Sequence, residues 1–229
     1  MKKIINIFAI LIFTIPCSLH AESWYQVEVI VFDRINPDFG EEKWSSVQPS
    51  IRPDMLELYS NDETNSNQQL VPFMIMDKKN NRMNGIHRVL RLSKEYRPLI
   101  HLSWQQPATE RDESRYIHII KRNDDEKLLN QSSSNDFNEP DFLEEFVFSK
   151  KIIDGSIRIR SGFLLHVDVE LYYFSDMIND SAVQFSIEAS NQLIIGLSES
   201  RKIKLDEIHY FDNPIYGLIL QVSRLENVN

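Results

Sequence analysis

Trp24-Tyr25-Gln26-Val27-Glu28-Val29-Ile30-Val31-Phe32 (residues 24–32, WYQVEVIVF) decides the fold class. Its β-branched and aromatic residues alternate with polar ones, which is the period of a strand. Tyr25, Val27, Val29 and Val31 share one face, while Gln26 and Glu28 share the other. Ile30 and Phe32 continue that second face with apolar side chains, so its far end needs a cover of its own. Asn36-Pro37-Asp38 ends the strand.

Downstream, Asp77–Glu95 changes period. Ile86, Val89, Leu90 and Met83 recur at helical spacing with Lys and Arg between them, and Gly85 weakens the helix at its centre. A strand follows from Leu99 to Trp104. Strand, helix and strand in that order predict a βαβ unit with parallel strands. Arg115–Ile120 reads as a short strand, and the chain beyond residue 150 is strongly β. Gly155–Arg160 and Phe163–Tyr173 read as a hairpin. Ile157 and Ile159 must share a face with Phe163, Leu165, Val167, Val169 and Leu171. Pairing 159 with 163 achieves this through a three-residue loop, Arg160-Ser161-Gly162, with Gly162 left-handed. Strands over 192–211 and 216–222 flank the turn at Asp212-Asn213-Pro214. The predicted fold is α+β: a mixed, mostly antiparallel sheet with a βαβ-like N-terminal half and a β-rich C-terminal half.

The N-terminus reads as a targeting segment. Lys2 and Lys3 precede an apolar run, Ile4–Ile15, which Pro16 breaks before Ser18-Leu19-His20-Ala21. That run is shorter than the roughly 20 apolar residues of a spanning helix and matches a secretion signal cut after Ala21. Residues 1–21 are therefore read as a signal peptide. Residues 22–229 are read as a single domain working outside the cytoplasm, with mobile loops near 60–70 and 121–140, where the sequence is rich in Asn, Asp, Ser and Glu. Cleavage removes Cys17, the one cysteine, and with it any disulfide or thiol ligand. The formal charge of −9 argues against nucleic acid as a partner. No later stretch is long and apolar enough to make a stable membrane span.

Motifs for catalysis are absent. The sequence has no H-E-x-x-H, no G-x-S-x-G and no phosphate-binding glycine loop, so no cofactor and no catalytic residue is implied. His166, Asp168 and Glu170 alternate along one strand face, but strand neighbours two apart sit about 7 Å from each other. Three such groups do not close around zinc at about 2 Å each, so a solvated face is the expectation and no metal site is assigned. Trp24, Trp44 and Trp104 end strands or flank loops. Aromatic faces suit sugar rings as well as cores, and core packing is the commoner role.

Four segments together carry a resemblance: WYQVEVIVFDR with EEKW after it, YRPLIHLSWQQP, GSIRIRSGFLLHVDVELYY, and RKIKLDEIHYFDNPIYGLILQV. In this order they resemble the CsiV family of periplasmic proteins from Gram-negative gammaproteobacteria. The resemblance implies a non-enzymatic, periplasmic protein that binds peptidoglycan. It further implies support of a class A penicillin-binding protein through its outer-membrane lipoprotein activator, LpoA. Asn213 departs from the family's histidine, and Gly162-Phe163 stand where arginine and tyrosine are common. The candidate ligand contacts are His101, Trp104, His166, Asp168, His209 and Tyr210, expected on one outer face. The competing classes are a periplasmic hydrolase using histidine and carboxylate on that face, and an envelope scaffold without glycan contact.

Overall fold

The structure, a computed structural model, describes residues 23–37, 46–50, 52–60, 71–123, 150–178 and 192–225. The expected signal segment, Trp44, and most of the two expected loops lie outside the described residues.

The described chain forms two antiparallel sheets packed face to face. Sheet 1 has the order β2 (Met74–Ile75), β3 (Tyr96–Pro107), β1 (Trp24–Arg34), β9 (Tyr216–Leu225), β8 (Ile208–Asp212). Sheet 2 has the order β4 (Ile117–Arg122), β5 (Lys151–Arg160), β6 (Leu165–Ile178), β7 (Gln192–Ile203). One helix, α1 (Asn84–Leu92), covers the outer face of sheet 1. The inner faces interdigitate in one core. Val27, Val29, Val31, Trp104, Leu218 and Leu220 meet Ile117, Ile157, Val167, Val169, Leu171 and Ile195. Buried Tyr216 ties the layers together by donating its hydroxyl to the carbonyl of Leu171 at 2.7 Å. Burial raises the pKa of that phenol, so it stays a donor.

β1 behaves as its alternation predicts, with Tyr25, Val27, Val29 and Val31 in the core. The second face is also covered, as expected: Ile30 and Phe32 pack with Met83 and Leu90 beneath α1. Val89 departs from the expected apolar stripe and stands 69% exposed. The helix is shorter than the span predicted for it, with a 3₁₀ turn at Lys78–Asn80 ahead of it, so Gly85 falls in its first turn.

The βαβ unit is not formed. β3 runs antiparallel to β1, Val27 pairing Trp104, and every pairing between named strands is antiparallel. Parallel contacts are confined to the isolated bridges Leu56–Ile117 and Tyr59–Met74. The reason is the route of the chain: residues 35–95 separate β1 from β3, and α1 is only the last part of that connection, not a direct crossover. Between β1 and β3 the chain first crosses the other sheet, where the Val47 amide donates to the Ile194 carbonyl, and only then reaches β2.

The β5–β6 hairpin keeps the predicted facing but not the predicted register. Ile159 pairs Val167 and Arg160 pairs His166, leaving five residues, Ser161–Leu165, between the last paired positions. Parity alone permits 159 to pair with 163, 165 or 167. The observed choice sets Asp168 opposite Arg158 and leaves Phe163, expected on the inward face, unpaired at the tip and fully exposed. Positive φ among the glycines falls on Gly155, not Gly162. A Cβ on Gly155 lies 2.1 Å from the carbonyl oxygen of Glu170, in the backbone of β6. Gly155→Ala is expected to cost on the order of 3 kcal/mol, because backbone cannot rotate out of the way as a side chain does. The urea midpoint measures that loss.

Candidate functional site

The six candidate residues do not share one surface. Along a strand, positions three apart face opposite ways, so His101 and Trp104 part company in β3. Trp104 points into the core, fully buried, and donates its indole N–H to Gln106 Oε1 at 2.9 Å. His101 points to the other side, under the start of α1. His209 and Tyr210 diverge for the same reason. His209 turns to the β7–β8 connection, with Nε2 3.3 Å from the backbone of Lys204. Tyr210 lies on the α1 side, its ring 6.2 Å from that of Phe32. Only His166 and Asp168 remain together, on the outer face of sheet 2.

His101 belongs to a buried polar joint. The carboxylate of Glu28 accepts the backbone N–H groups of Arg82 (2.6 Å) and Met83 (2.9 Å), which open the helix. His101 Nε2 contacts the same carboxylate at 2.8 Å and the Asn81 amide at 3.2 Å. Ser103 donates to Asn81 Oδ1 at 2.6 Å. The His87 ring stacks on His101 at 4.6 Å, and burial, reinforced by His101, Arg91 and Lys78, lowers its pKa. Glu28 therefore serves as the N-terminal anchor of α1, satisfying amides that a helix start leaves open. Its signal in the sequence is one carboxylate on a strand face that is otherwise apolar toward Ile30 and Phe32.

On sheet 2 the acids are engaged. Burial alone would raise the pKa of Asp168. Hydrogen bonds from Arg160 (2.8 and 3.1 Å), Ser200 (2.5 Å) and Arg158 (2.9 Å) instead hold it well below the usual carboxylate range. Glu170 takes Arg52 at 3.2 Å and the Tyr172 hydroxyl at 2.9 Å. Arg52 and Arg158 each lie 4.2 Å from the Tyr116 ring centroid. His118 bridges Glu57 and Asp154, and the hydrogen bond to Asp154 is the main reason its pKa is raised. Neither His166 nor Glu170 completes a metal site with Asp168: among the described residues no group of three such ligands converges.

Besides a concavity of about 270 Å³ over Arg52, Tyr116, Arg158 and Asp168 on sheet 2, two others stand out among the described residues. The larger, about 750 Å³, opens at one end of the sandwich and is lined by Arg34, Arg97, Lys121, Arg122, Lys150 and Lys151 around Asp33. Its cations hold partners: Arg97 binds Asp33 at 2.5 Å, Arg34 binds Asp212 at 2.9 Å and Lys151 binds Asp154 at 2.6 Å. Tyr210, joined to Asp212 at 2.6 Å, belongs to this margin; burial and Asp212 push its phenol up to about 12. The smaller concavity, about 390 Å³, lies at the β5–β6 tip and includes Arg111, Phe163, Leu164, His166 and Lys202. Sequence reasoning missed all of these but His166, because the hairpin register that exposes Phe163 was not fixed by parity.

Compared with known proteins, the sequence matches the family model described as "Peptidoglycan-binding protein, CsiV" over residues 4–225. No curated protein and no solved structure matches it.

Two predictions follow from these networks. Glu28→Ala strands two backbone amides at the entry to α1 and is expected to cost about 3 kcal/mol in chemical denaturation, whereas Glu28→Gln retains an acceptor and loses less. Stability should also peak on the acid side of neutrality. Asp168 has a depressed pKa when folded, so its contribution holds above about pH 4 and is lost as the pH falls further. His118 has a raised one, so its contribution is full below about pH 6.5 and is lost as the pH rises through the folded value. Urea midpoints across pH should show both limbs, with Asp168→Asn shrinking the acid limb, to which Asp154 and Asp212 also contribute, and His118→Gln shrinking the alkaline one.

Proposed function

Because the chain belongs to the CsiV family of peptidoglycan-binding proteins, we propose that it is a periplasmic protein that itself binds peptidoglycan without catalysing a reaction. In this reading it supports cell-wall synthesis by assisting a class A penicillin-binding protein through that enzyme's outer-membrane lipoprotein activator, LpoA. The observation that carries the proposal is the family match, which extends over nearly the whole chain. The chemistry of the described surface fits a binder. His118, Asp154, Asp168 and Glu170 are tied into hydrogen bonds within the fold, which builds a fixed surface. A supporting role then works through differential affinity: the protein favours whichever state of its partner it binds more tightly.

Net charge sets a condition on this function. The chain carries a formal −9, and peptidoglycan bears peptide carboxylates, so attraction cannot come from overall charge. Contact has to be local, at cationic or aromatic features. Purified protein mixed with isolated peptidoglycan sacculi is expected to sediment with them, saturably, and to remain bound at about 0.15 M salt, where charges beyond roughly 8 Å are screened. Protein left in the supernatant at every salt concentration would overturn glycan binding and leave the scaffold role.

A further inference from the structure

The β5–β6 tip presents an aromatic ring entirely to solvent. Phe163 is 101% exposed and Leu164 beside it is 42% exposed. The tip is held in place: the Ser161 amide donates to the Thr109 carbonyl at 2.7 Å, which fastens the hairpin to the turn after β3. That turn is itself closed by Ser114, whose amide donates to the Glu110 carbonyl and whose hydroxyl donates to the Arg111 carbonyl. Arg111 and Phe163 thereby face one groove from two fixed walls, and Lys202 and His166 complete it from sheet 2.

The polar groups of this groove are available in a way those of the end cleft are not. Among the described residues, neither Arg111 nor Lys202 has an ion pair or a side-chain hydrogen bond, whereas Arg160, on the same margin, is committed to Asp168. His166 has a defined tautomer. A carbonyl only accepts, so the 3.0 Å contact of Nδ1 with the Leu164 carbonyl places the proton on Nδ1. In the neutral ring, Nε2 is then an acceptor. Beside the Glu110 carboxylate, the groove offers one bare aromatic face, two uncommitted cations and the His166 ring, in a volume of about 390 Å³, comparable to sites for small ligands.

We propose that this groove is the peptidoglycan subsite of the protein, with Phe163 as the platform for an amino-sugar ring. The idea rests on the peptidoglycan-binding reading above and names the place and the chemistry. A pyranose ring has an apolar face of C–H groups, which packs on an aromatic ring as another apolar surface does. Arg111 and Lys202 take a carboxylate of the attached peptide, and His166 Nε2 accepts from a sugar hydroxyl or an acetamido N–H. Glu110, the acid on this rim, receives peptide N–H groups and disfavours a second carboxylate beside it. A neutral glycan uses only the platform and the acceptor; a peptide-bearing glycan uses the cations as well.

The test is the sacculus sedimentation isotherm of the whole protein and four variants. Phe163→Ala is expected to weaken binding on the order of tenfold, with Phe163→Tyr retaining it. Arg111→Glu combined with Lys202→Glu is expected to weaken binding by at least as much and to reduce its dependence on salt. Phe163 touches nothing it needs for folding, so the thermal transition of Phe163→Ala should match that of the parent. Val89→Ser, an equally isolated change on α1, serves as the control and should leave the isotherm unchanged. A parent that sediments while Phe163→Ala sediments equally well would overturn the groove and leave peptidoglycan binding intact. A parent that stays in the supernatant would overturn the peptidoglycan reading and this inference with it.

Discussion

β1 has no face toward water, and the rest of the described structure is arranged around that fact. Its odd-numbered residues fill the gap between the sheets, and its even-numbered ones, from Gln26 to Phe32, lie buried on the opposite side. A central strand hidden on both faces needs two separate covers. Sheet 2 supplies the first through apolar packing. The second combines two kinds of contact, apolar at Ile30 and Phe32 and polar at Glu28. The polar contact sets geometry. Met83 and Leu90 can pack on Ile30 in many ways, but two backbone amides aimed at one carboxylate fix where α1 begins. His101 closes a further approach to that carboxylate and is itself held by Asn81, as a buried acid requires.

The outer face of sheet 2 solves a different problem. Its ion pairs are partly exposed, and such pairs add little stability singly. Their value lies in register. Facing preference permits the β5–β6 hairpin to slip by two residues at a time, and each slip keeps the isoleucines inward. Slipping by two, however, moves Asp168 away from Arg158 and Arg160 and brings the chain of β6 against Gly155 at a different point. One carboxylate gripped by two guanidinium groups, with a close backbone approach that only glycine allows, leaves one register. The exposed tip at Phe163 is a consequence of that choice.

Much of this was legible in the residues. The two faces of β1, the helix after residue 77, the inward set of the β5–β6 hairpin apart from Phe163, and the turn at Asp212-Asn213-Pro214 all follow from period and turn chemistry. What failed did so for identifiable reasons. A strand–helix–strand order suggests parallel strands, but α1 is not the direct link: the chain passes the edge of sheet 2 and β2 before it reaches β3. His101 and Trp104 were placed on one surface although three positions on a strand put them on two. The role of Glu28 needed the position of α1, a tertiary contact with Arg82 and Met83, far from it in sequence. The groove at the hairpin tip depended on a register that ion pairing, not hydrophobic pattern, decides.

An acidic protein that recognises an acidic polymer gains nothing from long-range steering, and the distribution of its cations shows how recognition can still work. Beyond about 8 Å at physiological salt, charge is screened for attraction and repulsion alike. Close contact is then judged group by group. The end cleft holds many cations, yet Arg34, Arg97 and Lys151 each balance an acid of the fold. A ligand carboxylate entering there competes with partners already in place. The hairpin groove holds fewer cations, but Arg111 and Lys202 have no such commitment among the described residues, and Phe163 adds a contact that salt does not weaken. A single site of this kind binds modestly. A sacculus presents the same unit over and over, so a released molecule rebinds nearby before it escapes, and modest contacts suffice to hold the protein on the wall.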